Sequence, residues 1–66
     1  MNMDNNVIKL MQKLEKEFIA SCDDAEKFAF GNNSAGTRVR KYMQSIKKIA
    51  QEIRVEIQEQ KHAVTA

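Results

Sequence analysis

The 66 residues allow one domain, and a chain this short removes only a modest fraction of its apolar surface from water, so self-association is the first structural expectation. With no proline, two glycines, 42% hydrophobic and 30% charged residues, the composition reads as all-α and argues against sheet folds. The formal net charge of +2 hides an uneven division: residues 1–30 hold four lysines against six acids, and residues 31–66 hold seven basic residues against three acids.

The N-terminal stretch MNMDNNVIKL has no basic region followed by a long apolar run, so neither a signal peptide nor a membrane span is expected. Cys22 is the single cysteine. It excludes an intrachain disulfide and suits a reducing, cytoplasmic compartment.

The first predicted helix covers about residues 5–30. Asp4, Asn5 and Asn6 can each accept hydrogen bonds from the free amides of its first turn. Val7, Met11, Leu14, Phe18, Ala25 and Phe28 step by four and three, with Ser21 beside Cys22 in the missing place. This stripe resembles a coiled-coil face, broadened by Ile8, Leu10, Ile19 and Ala29.

Gly31-Asn32-Asn33-Ser34 is the strongest breaker in the chain. It combines residues that tolerate left-handed backbone with residues that cap a following helix, so the turn is predicted at 31–34, with Asn33 or Ser34 as the cap. A tight turn makes the two helices an antiparallel hairpin.

The second predicted helix runs over about residues 35–61, with the last residues from His62 to Ala66 fraying. Placing Val39 at heptad position a puts Tyr42 at d, Met43 at e, Ile46 at a, Ile49 at d, Ala50 at e, Ile53 at a and Ile57 at e. A face this broad suits a bundle better than an isolated pair, and the expected assembly is a four-helix homodimer or a larger helical oligomer. Tyr42, the phenylalanines and the methionines read as packing residues.

Arg40, Lys47, Arg54 and Lys61 fall at position b of that register, with Lys41 and Lys48 beside them at c. Successive b positions stand about 10.5 Å apart along the axis. A duplex offers one phosphate charge per ~1.7 Å, so such a row needs no strict register to neutralise phosphates. The same row also reads as a solubilising outer face. At the turn, Ser34, Gly36, Thr37 and Arg38 combine helix-start amides, hydroxyls, a missing side chain and a guanidinium, a set suited to phosphate; equally, Ser34 and Thr37 cap the helix and Gly36 permits close packing.

Nothing in the chain reads as an enzyme. Cys22 and His62 are the candidates for nucleophile and base, and an antiparallel hairpin separates them. No carboxylate pair, Gly-rich phosphate loop or metal-spacing motif is present, so no catalytic residue, metal or cofactor is expected.

The stretch from Gly31 through Asn32, Asn33, Ser34, Ala35, Gly36, Thr37, Arg38, Val39, Arg40 and Lys41, followed by Ser45-Ile46-Lys47-Lys48-Ile49 and Glu52-Ile53-Arg54, resembles the bacterial linker-histone-like family. That family is known from chlamydial nucleoids and from short homologues in Bacteroidetes-type bacteria. The resemblance covers the layout of nearly the whole chain and residues 31–54 in detail.

It implies a nucleoid-associated protein that binds and compacts DNA without sequence preference. The matching contact positions are Arg38, Arg40, Lys41, Lys47, Lys48 and Arg54, with Gly31, Asn32 and Gly36 shaping the turn. The family often has Lys where Asn33 stands, and a Lys and a Ser where this chain has Val55 and Ile57. Chlamydial-type relatives also carry a tail rich in Lys, Ala and Pro, whereas this sequence stops at Ala66; affinity is then expected to rest on oligomerisation. The competing expectation is a structural or regulatory helical module that binds a protein through its apolar face. No membrane or small-molecule partner is expected under either reading.

Overall fold

The computed structural model describes residues 4–65, with side-chain surroundings through residue 63. Met3 and Ala66 lie outside the described residues. Two helices, α1 (Asn6–Ala29) and α2 (Asn33–Thr65), form an antiparallel hairpin with overall extents of 53 × 20 × 11 Å.

Asn5 starts α1 by accepting from the Val7 amide at 2.8 Å, as expected of an N-cap. At the other end, Gly31 N–H donates to Phe28 O at 3.0 Å and Asn32 N–H donates to Lys27 O at 3.0 Å. These two bonds, with Gly31 at φ +103°, make a Schellman ending that satisfies the last carbonyls of α1.

Asn32 then accepts from the Ala35 amide at 3.1 Å through Oδ1. The cap of α2 is therefore Asn32 rather than the expected Asn33 or Ser34, and the turn closes two residues earlier. Gly31 finishes one helix and Asn32 begins the next, leaving no spacer between them. The far end differs as well: α2 continues to Thr65 instead of ending near 61. No glycine or proline follows Gly36 along it, and Gln58 Nε2 lies 3.2 Å from His62 Nε2 one turn on.

The contact between the helices runs through Leu10, Leu14, Glu17, Ser21 and Asp24 of α1, and through Ala35, Tyr42, Ser45, Ile49, Ile53, Glu56 and Gln60 of α2, all buried or half-buried. Among the described residues, only Ala35, Ile49 and Ile53 are buried apolar side chains. Polar pairs occupy much of the remaining length. Ser45 Oγ donates to Glu17 Oε1 at 3.0 Å, and Arg38 Nε donates to Asp24 Oδ1 at 3.0 Å. At the open end, Asn5 and Gln60 exchange amide hydrogen bonds of 2.9 and 3.0 Å.

The apolar stripe read from the first helix is thus largely outside the hairpin seam. Met11, Phe18 and Phe28 are each more than half exposed. A compact 7.6 kDa monomer should expose roughly 4,300 Å². The hairpin exposes 5414 Å².

Candidate nucleic-acid interface

Helical phase sorts the exposed side chains into distinct surfaces. On helices of 3.6 residues per turn, Met11 and Phe18 lie about 90° to one side of the α1 seam, and Val39, Ala50 and Ile57 lie about 90° to one side of the α2 seam. Both offsets have the same sign. In two right-handed helices running in opposite directions, equal-signed offsets lead to the same face of the pair. The hairpin therefore has one apolar face, continued at the tip by Ala25, Phe28 and Val39, which line a common hollow with Gly36 and Arg40.

The opposite face is polar and basic. Lys41 and Lys48 lie about 80–100° from the α2 seam on the side away from Val39 and Ile57. Lys41 lines an open cleft of about 320 Å³ with Glu17, Arg38, Tyr42 and Ser45. Arg40, Lys47 and Arg54 project from the outer edge of α2, roughly 140–180° from its seam, and Lys61 turns toward the apolar side at about 120°.

The expected b/c row is consequently split between two surfaces, because neighbouring residues on a helix diverge by about 100°. All seven of the basic side chains from Arg38 to Lys61 are exposed.

Among the described residues, Arg40, Lys41, Lys47, Lys48 and Arg54 make no intrachain ion pair. Arg38 does: its Nε is held by Asp24. At the start of α2, Ser34 and Thr37 are exposed, while the Ala35 amide is taken by Asn32. Gly36 is packed under an aromatic ring, where an added Cβ would stand 2.5 Å from Phe28 Cδ1. The turn thus brings its residues together mainly to close the tip.

Sequence reasoning overlooked one set. Lys9, Lys13 and Lys16 are exposed and lie about 60–120° from the α1 seam on the polar side, the same face as Lys41 and Lys48. They too make no ion pair among the described residues. The four-and-three spacing of these lysines was a visible signal, masked by the acids that lower the net charge of residues 1–30.

Among the described residues there is no metal-holding cluster of His, Cys, Asp or Glu, and no helix is long and apolar enough to cross a membrane. Cys22 is exposed.

A family model described as histone H1-like protein Hc1 matches residues 8–63. No curated protein and no solved structure matches the chain.

Proposed function

The chain belongs to the histone H1-like protein Hc1 family, and from that premise we propose that it is a nucleoid-associated, cytoplasmic protein that binds duplex DNA through phosphates, without sequence preference. The observation that carries the reading is the set of exposed basic side chains that make no ion pair among the described residues, Arg40, Lys41, Lys47, Lys48 and Arg54. Unpaired cations on a rigid helix attract a polyanion and release its counterions on contact. Arg38 contributes from the tip alongside its bond to Asp24, Ser34 and Thr37 offer hydroxyls beside it, and Lys61 extends the reach of α2.

The working form is a homodimer in which two apolar faces meet as a four-helix bundle. The hairpin exposes about 1,100 Å² more than a compact monomer of its mass. A standard interface removes about 800 Å² from each partner. A second copy presents the same uncovered face, so a two-fold dimer covers both at once.

The exposed Met11, Phe18 and Ile57 also favour a second reading, a helical module whose apolar face receives a different protein. Fluorescence anisotropy with random duplexes at low and moderate salt separates the two. DNA binding predicts affinity that is equal across sequences and falls steeply with salt, with a slope near −0.9 per phosphate contact. No binding by well-folded protein, or binding indifferent to salt, overturns the DNA reading.

A further inference from the structure

The apolar and lysine faces lie on opposite sides of the hairpin, and that opposition bears on how DNA is held. Resting on the DNA-binding reading above, we infer that the contact surface is a two-helix lysine face, Lys9, Lys13 and Lys16 of α1 with Lys41 and Lys48 of α2, and that the dimer bridges two duplexes rather than coating one.

The five ammonium groups come from both helices but from one side of the seam. The cross-seam pairs Asp24–Arg38 and Glu17–Ser45 set the register of the helices. In that register Lys48 falls between the levels of Lys13 and Lys16, and Lys41 lies one step further toward the tip. The set therefore spans about 18 Å along the hairpin at 1.5 Å per residue. That length faces about eleven phosphate charges at one per ~1.7 Å of duplex. Of the carboxylates on the same side, half-buried Glu52 falls within this run between the levels of Lys9 and Lys13, Glu59 lies beyond it toward the open end, and Asp23, toward the tip, is paired with Lys27 at 3.3 Å.

Once two apolar faces meet, the two lysine faces point away from each other. Each hairpin is one helix layer thick, 11 Å in its shortest extent, so the faces of a dimer are separated by the full depth of a two-layer bundle. A single straight duplex lying on one face cannot reach the other. Arg40, Lys47 and Arg54, on the outer edge, add attraction to a duplex on either side without specifying which.

A two-duplex capture experiment tests this. One duplex is fixed to beads, a second, labelled duplex is free, and retention of the label is measured with the full chain at low salt, alongside single-duplex affinity by anisotropy. Wild-type protein should retain the labelled duplex at protein levels below saturation. Lys9→Gln/Lys13→Gln/Lys16→Gln, with helicity confirmed by circular dichroism, should lose most of that retention and show a salt slope shallower by about 2 to 3.

If wild-type protein fails to bind a single duplex, the DNA reading itself falls. If it binds normally and the triple variant retains the label as well as wild type, DNA binding stands and the lysine face is overturned. Tight single-duplex binding with no captured second duplex overturns the bridge.

Discussion

Asp24 and Arg38 meet across the helix seam, carboxylate Oδ1 to guanidinium Nε at 3.0 Å, with the Asp24 side chain 10% exposed. The bond ties the end of α1 to the start of α2 and occupies a place where a hairpin core would ordinarily be apolar. It also gives a residue expected to touch phosphate a structural duty. Arg38→Ala leaves a buried carboxylate without its cation, and should cost about 1–3 kcal/mol in urea unfolding at fixed protein concentration. Replacing both residues by leucine should recover much of that loss, since an apolar pair removes the stranded charge. An unchanged midpoint for Arg38→Ala would mean that the pair does not hold the tip.

Gly31 has φ +103°, outside the range that a side chain adopts without strain. Gly31→Ala should destabilise the hairpin by about 1–2 kcal/mol. Its Cβ meets nothing within 4 Å, so backbone strain is the whole of the expected effect. A thermal midpoint equal to wild type would show that the turn relaxes to another conformation.

Gly36 and Phe28 should behave as a coupled pair. Alanine normally improves a helix interior by about 1 kcal/mol over glycine, yet here its Cβ would stand 2.5 Å from the Phe28 ring. Gly36→Ala should therefore lower stability in the wild-type background and raise it in a Phe28→Ala background. A double-mutant cycle reads the sign change directly. Equal effects in both backgrounds would rule out the ring contact.

Phe18 lies on the uncovered apolar face, 54% exposed. If that face joins two copies, Phe18→Glu places two carboxylates in the joint. Sedimentation should then shift toward monomer mass, and helical signal should fall on dilution at concentrations where wild type holds. Identical sedimentation of the two proteins would remove the apolar face from the assembly.

Much of the fold is legible in residue spacing. The Asn5 cap, the Gly31 ending, two long helices and an antiparallel return all follow from local hydrogen-bonding demands that a few residues satisfy. Residues 31–54 also carry the resemblance to the family that the match over residues 8–63 establishes. The seam was harder to read. A stripe through Met11 and Phe18 has the right period for a core, but periodicity states that a face is apolar without naming what covers it.

Ser21, Asp24 and Glu17 lie inside the hairpin instead. Phe18 O accepts from Ser21 Oγ at 2.6 Å, while Arg38 and Ser45 satisfy the two acids, and no local pattern reveals partners so distant in sequence.

Composition, helical period and turn chemistry therefore dictated an all-α hairpin with a basic second helix, because these depend on interactions within a few residues. Antiparallel docking set the rest. It chose a partly polar seam, turned the apolar stripe outward, and set Lys9, Lys13 and Lys16 beside Lys41 and Lys48. Side chains on different helices share a surface only after rotation and register are fixed, and here cross-seam pairs such as Asp24–Arg38 fix both.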